Sequence, residues 1–103
     1  MNLVSIIIPF KNPGKYFKPC LESIRNQSYQ NIEVLMIDDH SSYDDAEVAR
    51  MAQIKDKRFQ LYRSNGLGII NALQTGLDLA KGEFISRMDA DDLMTKDKIE
   101  LMR

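Results

Sequence analysis

Hydrophobic residues along the chain alternate between two spacings. Four short runs that are continuously apolar or alternate apolar with polar residues predict strands, at Leu3–Ile8, Ile32–Asp38, Arg58–Arg63 and Glu83–Met88. Three segments with apolar residues every three or four positions predict helices, from Tyr16 to about Gln27, from a cap at Asp44 and Asp45 to about Ile54, and from Ile69 to Ala80. Gly82 is predicted to stop the third helix, and Thr95 to cap a last one.

Strands and helices alternate throughout this prediction. Such an order favours an α/β fold with a mainly parallel sheet of about four strands, flanked by helices and joined by right-handed crossovers. Ligands of these sheets bind in the crevice at the carboxyl ends of the strands. Those ends carry the polar segments "PFKN", "DDHSS", "RSNGLG" and "DADD", which are therefore the candidate site.

Composition narrows the possible partners. A chain of 103 residues is enough for one domain, and its net charge of −1 gives no electrostatic attraction to nucleic acid. The single cysteine, Cys20, cannot form an internal disulfide or a thiolate metal cluster, which is compatible with a reducing compartment. No apolar run reaches the roughly 18 residues that a membrane span needs.

The segment "DADD" places three carboxylates, Asp89, Asp91 and Asp92, within four residues. If the strand continues through them, Asp89 and Asp91 lie on one side and Asp92 on the other. Two neighbouring carboxylates either share a proton or hold a cation, and Mg²⁺ or Mn²⁺ is often held by one or two carboxylates together with substrate phosphates. A solvated acidic turn explains the same spacing, and the residues alone leave both interpretations open.

A second acidic pair, Asp38 and Asp39, follows the second strand and is expected to point to opposite sides. A carboxylate accepts hydrogen bonds, so it suits a pyrimidine N–H or a ribose hydroxyl, although Asp also caps loops. His40 has no identified partner and is treated as an exposed loop residue. Arg87 pairs either with Asp89 or with a phosphate.

The third strand is followed by "NGLGIINALQTG", which offers Asn65, Gly66, Gly68 and Asn71. Backbone amides at a helix N-terminus can hold a phosphate or a sugar. The segment lacks both the Gly-x-x-x-x-Gly-Lys and the Gly-x-Gly-x-x-Gly patterns. A loop with glycines in left-handed conformations is the structural alternative.

In this order, "VSIIIPFKN", "CLESIRNQSYQNIEVLMIDDHSSYDD" and "NGLGIINALQTGLDLAKGEFISRMDADD" resemble the N-terminal, nucleotide-sugar-binding half of family 2 glycosyltransferases. That resemblance implies the Rossmann-like three-layer half of a GT-A fold over residues 1–103. It also implies that the chain is a piece of a longer domain. The acceptor half and the general base are then expected beyond Arg103.

The resemblance also suggests roles for single residues. Pro9, Phe10 and Asn12 would line the nucleotide pocket, Asp39 would contact the base and Asp38 would support it. Asp91 would reach the metal, Asp89 would contact ribose or join the metal shell, and Asp92 is a lesser candidate. The remaining donor-binding candidates are Asn65, Gly68, Asn71 and Ala90. Leu73 stands where many members of the family carry an arginine, which leaves more of the diphosphate charge to the metal.

The implied activity is transfer of a sugar from a nucleoside diphosphate donor, a UDP-sugar, to a hydroxyl of a saccharide or lipid-linked acceptor. Inversion at the anomeric carbon, dependence on Mn²⁺ or Mg²⁺ and a part in polysaccharide synthesis belong to the same expectation. So does a location in the cytoplasm or at its membrane face. An apolar edge at the fourth strand would allow a homo-oligomer.

Three alternative functions are considered. A nucleotide-sugar-binding segment without transferase activity would carry the same residues. A sugar nucleotidyltransferase would carry a glycine-rich basic loop after the first strand, which "KNPGKYFK" resembles only faintly. A signalling receiver domain would place its acidic pair after the first strand, where this chain has "PFKN".

Overall fold

The computed structural model describes residues 2–94 and Ile99. Strands and helices alternate as predicted. The strands are β1 (Val4–Phe10), β2 (Ile32–Asp38), β3 (Phe59–Arg63) and β4 (Phe84–Arg87), and the helices are α1 (Phe17–Arg25), α2 (Tyr43–Lys55) and α3 (Ile69–Leu79). A short 3-10 turn, Gly14–Tyr16, precedes α1. The helix predicted after Thr95 lies outside the described residues.

All strands pair in parallel, in the order β3-β2-β1-β4. The central strand β1 is buried along its whole length, which agrees with its continuous apolar run. Because the strands are parallel, their four carboxyl ends lie at one edge of the sheet. The predicted α/β class and parallel sheet are therefore confirmed.

Helices cover both faces of the sheet. On one face, side chains of α1 and Ala49 of α2 pack against Val4, Ile6 and Ile8 of β1. On the other face, Ile7 belongs to a smaller cluster with residues of β2 and α3. This alternation along β1 follows from the two-residue period of a strand and gives three layers.

The bounds of β1 and β4 differ from the prediction, and β3 begins one residue later than predicted. β1 continues through Pro9 and Phe10, although Pro9 was expected to end it. β4 pairs with β1 only over Val4–Ile7, so Pro9 lies past the end of β4, where its missing N–H removes no ladder bond on that side. β4 itself is shorter than predicted and ends at Arg87.

The helix boundaries also need two corrections. Ser42, not an aspartate, is the cap residue of α2, and Asp44 and Asp45 lie in its first turn. Gly82 does not stop α3, because that helix ends at Leu79 with Ala80 as its cap. Gly82 lies instead against β1, where a Cβ would come within 2.8 Å of the Leu3 carbonyl oxygen.

The edge strand β4 carries apolar side chains that are partly open to solvent. Phe84 is 39% exposed and Ile85 48% exposed, in agreement with the expected apolar edge. On α3, Ile70 is largely exposed. Among the described residues, no helix has the length and apolar character required to cross a bilayer.

Candidate functional site

The polar segments predicted to form a site lie together at the carboxyl edge of the sheet. Neighbouring strands are about 4.8 Å apart, so the ends of β2 and β4, on either side of β1, lie about 10 Å apart. Asp38 and Asp39 occupy the end of β2, and Asp89, Asp91 and Asp92 follow β4. This spacing is suitable for a ligand that extends across β1.

Asp38 stabilises the loop that follows it. It is buried, and its Oδ1 accepts a hydrogen bond of 2.7 Å from the Ser41 amide. Its own carbonyl accepts from the Ser64 amide, which ties β2 to the loop after β3. The sequence allowed this capping role, and the structure contains it.

Asp39 connects β2 with the start of α3. Its side chain is buried, and its Oδ1 accepts a 3.0 Å hydrogen bond from the Gly68 amide. Gly68 is the cap residue of α3 and has a φ of 93°, which favours glycine. The two adjacent aspartates thus have different partners. Asp38 bonds within the loop that follows β2, whereas Asp39 bonds to the cap residue of α3.

Asn12 joins the loops after β1 and β2. Its Oδ1 accepts a 2.7 Å hydrogen bond from the Ser42 amide, and its own amide donates to Oγ of Ser41 over 3.0 Å. Its φ of 48° lies in the left-handed region, which Asn tolerates better than most residues. The Asn12 side chain, predicted to line a nucleotide pocket, is therefore also a structural bridge.

Sequence reasoning did not identify the partners in this bridge. Besides the two serines, Asp45 of α2 accepts a 3.2 Å hydrogen bond from the Gly14 amide. The available signal was the density of Ser and Asp in "HSSYDD", which is typical of side chains that bond to backbone amides. The bonds connect residues about thirty positions apart, as in Gly14 and Asp45, whose separation is 31, so local sequence could not pair them.

Pro9 and Phe10 form the end of β1. The Phe10 ring is buried and lies 4.6 Å, centroid to centroid, from the ring of Phe17. Its carbonyl oxygen accepts hydrogen bonds from the Asp39 amide and, at 3.4 Å, from Oγ of Ser41. The Phe10 side chain thus belongs to the core, while its backbone belongs to the edge of the sheet.

The loop before α3 is held by its own residues. The Asn65 amide donates to Oγ1 of Thr75 over 3.3 Å, and Nδ2 of Asn71 donates to the Leu67 carbonyl over 2.6 Å. Both bonds bring the loop onto the first turns of α3. The side chain of Asn65 is exposed, as is that of Asn71.

The acidic segment after β4 is a turn and not a continued strand. The Asp92 amide donates to the Asp89 carbonyl over 3.1 Å, which closes a turn over Asp89–Asp92. The expected alternation of Asp89 and Asp91 against Asp92 is therefore wrong, because β4 ends two residues before Asp89. Ala90 is buried in the turn, whereas Asp91 and Asp92 are exposed.

The turn rests on α1 through Cys20. The buried Cys20 thiol donates to the Asp89 carbonyl over 3.6 Å. Burial raises the pKa of Cys20 to about 12, and the negative charges of Asp92 and Asp91 add to that rise. Since a thiolate is disfavoured beside these carboxylates, we assign Cys20 a packing role.

The carboxylate oxygens of the turn suit a metal ion that has only one or two protein ligands. Within residues 2–94, no three acidic, histidine or cysteine side chains converge as a metal cage would require. The exposed carboxylates of Asp89 and Asp91 offer hard oxygen donors, which fit a divalent ion whose other ligands are water and phosphate oxygens. The residues thus fit a metal bound together with a diphosphate, and not a preformed protein cage.

Arg87 and His40 complete the polar groups of the edge. Nη2 of Arg87 lies 3.5 Å from Oδ1 of Asp89, which is the ion pair that the sequence allowed. Arg87, Asp89 and Asp92 line a cavity of about 190 Å³ at the end of β4. His40 is exposed and has a φ of 59°.

A larger cavity of about 300 Å³ lies elsewhere, between α1 and α2. Its apolar floor includes Leu21, Val48 and Phe59, and charged side chains surround it. It involves none of the residues predicted to bind donor or metal.

Comparison with known proteins gives consistent results. A family model described as "Glycosyl transferase family 2" matches residues 5–103. The chain is 37% identical over 102 residues to "Glycosyltransferase GlyG" of Streptococcus pneumoniae, a match covering 98% of this chain and 34% of that protein. It is 40% identical over 101 residues to an "Uncharacterized glycosyltransferase" of Haemophilus influenzae, covering 97% of this chain and 40% of the relative.

Solved structures of glycosyltransferases share the fold. S. aureus TarS 1-349 in complex with UDP-GlcNAc has a TM-score of 0.81 and 26% identity, covering 97% of this chain and 29% of that one. Mannosyltransferase PcManGT of Pyrobaculum calidifontis, in complex with GDP-Man and Mn²⁺, has a TM-score of 0.76 and 27% identity, covering 87% of this chain and 28% of that one. The chain thus spans less than half the length of the relatives it matches.

Proposed function

The chain belongs to glycosyl transferase family 2, and from this membership we propose that residues 1–103 bind a nucleoside diphosphate sugar for transfer to an acceptor hydroxyl. These residues would form the donor-binding part of a glycosyltransferase domain. The supporting observation is the gathering of Asp38, Asp39 and the acidic turn at one edge of a parallel sheet. That edge is where ligands of such sheets bind.

The base would be held at the end of β2. Oδ1 of Asp39 already accepts from the Gly68 amide, and Oδ2 would accept from a ring N–H of the base. Asp38 and Asn12 would keep this corner rigid through their bonds to Ser41 and Ser42. A uracil offers a suitable N–H, and TarS has been solved with UDP. We therefore propose a UDP-sugar as donor.

The diphosphate would lie towards the end of β4. Asp91 and Asp89 would hold Mn²⁺ or Mg²⁺, the neighbour PcManGT having been solved with Mn²⁺ and GDP-Man. When bound, such an ion stabilises the charge that develops on the departing diphosphate. Without a cation, the carboxylates of this edge would repel an anionic donor.

The proposed reaction is a single displacement with inversion. The acceptor oxygen forms a bond to the anomeric carbon as the bond from that carbon to the diphosphate oxygen breaks. The acceptor proton passes to a general base, and nucleoside diphosphate is released. We assign that base to no residue of this chain. The acceptor would be a saccharide or a lipid-linked sugar, and the reaction would take place in the cytoplasm or at its membrane face.

One observation favours a narrower function. The chain covers only 34% and 40% of the two curated relatives named above. Residues 1–103 by themselves would then bind the donor without transferring the sugar. Binding and transfer therefore have to be measured separately.

Calorimetric titration with UDP and UDP-GlcNAc in Mn²⁺ tests the binding proposal. We expect saturable binding of UDP that weakens about tenfold or more when a chelator replaces the metal. Absence of binding at millimolar UDP in Mn²⁺ would overturn the proposal. Release of UDP from the donor in the presence of saccharide acceptors separates a transferase from a binding segment.

A further inference from the structure

The proposed donor site contains an unbalanced set of charges. Its carboxylates are Asp38, Asp39, Asp89, Asp91 and Asp92. A nucleoside diphosphate brings further negative charge, and one divalent ion would not neutralise the whole set. Among the described residues, three Lys or Arg side chains stand at or just after the ends of the strands, namely Lys11, Arg63 and Arg87.

The position of Arg87 sets it apart from the other two cations. It is the last residue of β4 and contacts the acidic turn, with Nη2 3.5 Å from Oδ1 of Asp89. Arg63 ends β3, at the opposite edge of the sheet and about 14 Å away at the usual strand spacing. Lys11 follows β1 and forms no ion pair with the turn.

The sheet register places Arg87 on the α3 face. It pairs with Ile7, and residues paired in parallel strands point to the same side. Ile7 belongs to the same buried cluster as Ala72 of α3. On this face α3 itself supplies no lysine or arginine, since its sequence is "IINALQTGLDL". Among the described residues of this face, Arg87 is thus the cation that lies beside the acidic turn.

The Arg87 guanidinium has unused hydrogen-bonding capacity. Its side chain is 47% exposed, and among the described residues its single polar partner is Asp89. A guanidinium has five N–H donors. Arg58 shows the contrasting arrangement, with its guanidinium donating to Asp56, Gln30 and the Arg25 carbonyl. The Arg58 guanidinium is used in hydrogen bonds within the protein. The Arg87 guanidinium has one ion-pair partner and lines a cavity of about 190 Å³.

We infer that Arg87 binds the diphosphate of the donor directly, with Asp89 holding its guanidinium in place. This inference rests on the proposed function and adds a protein cation to it. The planar guanidinium can donate two N–H groups to phosphate oxygens while it keeps Asp89 as a neighbour. Arg87 would then provide positive charge on the face where Leu73 contributes none.

The test compares ligands that differ only in phosphate. Uridine, UMP and UDP are titrated in Mn²⁺ into wild type, Arg87→Ala, Arg87→Lys and the control Arg50→Ala, whose side chain is 43% exposed on α2 and belongs to none of the strand ends. For Arg87→Ala we expect UDP affinity to fall about tenfold, UMP affinity to fall less and uridine affinity to stay the same. Arg87→Lys should recover part of the loss, and Arg50→Ala should behave as wild type.

A second measurement separates direct binding from an indirect effect on Asp89. Mn²⁺ is titrated without nucleotide and followed by the spin-resonance signal of the free ion. Loss of a positive charge beside Asp89 should leave Mn²⁺ affinity unchanged or raise it. A Mn²⁺ affinity that falls together with UDP affinity would show that Arg87 only orients Asp89, and would overturn the inference.

The remaining outcomes are also decisive. If Arg87→Ala binds UDP as tightly as wild type, this inference fails and the proposed function stands. Equal losses for uridine and UDP would equally overturn it, because the effect would not depend on phosphate. If wild type binds no UDP, both proposals fail.

Discussion

The Gly68 amide donates a 3.0 Å hydrogen bond to Oδ1 of Asp39, and this bond connects the end of β2 to the first turn of α3. Both partners were donor-binding candidates from the sequence. The Asp39 side chain is buried, with only 4% of the residue exposed. This bond provides its carboxylate with a hydrogen-bond donor from the protein. The proposed acceptor for a ligand is the other oxygen, Oδ2.

Asp39→Asn separates the two uses of this side chain. The amide oxygen can still accept from Gly68, whereas the NH₂ group would meet a ring N–H as a second donor. We expect affinity for uridine and UDP to fall about tenfold, with unfolding free energy changed by less than about 1 kcal/mol. Calorimetry and urea denaturation measure the two quantities.

Asp44→Asn is the matched control, because Asp44 is exposed in the first turn of α2 and lines the cavity between α1 and α2, which contains no donor-binding candidate. It should bind both ligands as wild type does. If Asp39→Asn also binds uridine as wild type does, Asp39 is a structural residue and the base lies elsewhere.

Removal of the divalent ion should affect UDP and uridine differently. UDP carries the phosphates that would share the metal with Asp91 and Asp89, and uridine does not. In chelator we expect UDP affinity to fall about tenfold or more and uridine affinity to stay unchanged. Asp91→Asn in Mn²⁺ should reproduce the effect. Equal UDP affinity with and without metal would contradict the assignment of the acidic turn as the metal site.

Gly76→Ala tests the contact between α3 and the sheet. A Cβ at Gly76 would overlap Cγ2 of Ile7 and lie 3.4 Å from Cγ1 of Ile37. Alanine improves helix propensity by about 1 kcal/mol, but overpacking of a core costs typically 1–3 kcal/mol, so we expect net destabilisation of about 1 kcal/mol. Urea denaturation measures it.

A double variant examines the cause of that loss. Ile7→Ala removes the atom that the new Cβ would meet. Gly76→Ala combined with Ile7→Ala should therefore cost less than the sum of the two single changes. Simple additivity would show that the contact with Ile7 is not responsible.

Cys20 should make stability depend on alkaline pH. Burial and the nearby negative charges of Asp92 and Asp91 raise the pKa of the folded thiol to about 12, above the value of 9.0 for an exposed one. Below pH 9 the thiol is protonated in both states, and between pH 9 and 12 only the unfolded chain loses its proton. Stability should therefore fall as pH rises through this range, by about 1 kcal/mol between pH 9 and 10.

Urea denaturation in chelator at pH 8, 9 and 10 measures this slope. Cys20→Ser provides the comparison, since a hydroxyl does not titrate there, and its stability should fall less steeply. The folded thiol should also react slowly with a disulfide reagent at pH 8. Equal slopes, or a thiol that reacts at the rate of a free one, would contradict the role of burial.

Much of the fold followed from local sequence. The apolar runs of β1 and β2 and the helical spacing of α1 and α3 gave the elements to within a few residues. The errors fell where a tertiary contact determines the backbone. β1 continues through Pro9 because β4 ends before it, and Gly82 lies against Leu3, a neighbour far away in sequence.

The candidate site was likewise predicted in part from local sequence and determined in part by tertiary contacts. The spacing of acids identified Asp38, Asp39, Asp89 and Asp91, because charged residues at strand ends stand out against apolar runs. Their hydrogen bonds could not be predicted, since Asn12 bonds to Ser42 and Asp39 to Gly68 across loops that are distant in sequence. The turn at Asp89–Asp92 was one of two interpretations that the sequence left open, because the same four residues suit an extended strand and a turn.

The sequence by itself determined the order of elements, the parallel sheet and the edge at which polar residues gather. Hydrophobic periodicity and the alternation of strands and helices are local properties of the sequence. They can be identified without knowing which segments contact one another. Only the tertiary structure decided which oxygen of Asp39 is occupied, that the acidic segment is a turn, and that Arg87 lies beside Asp89 on the face of α3. Those features depend on contacts between segments that are distant in sequence, and these contacts determine the geometry of the binding site.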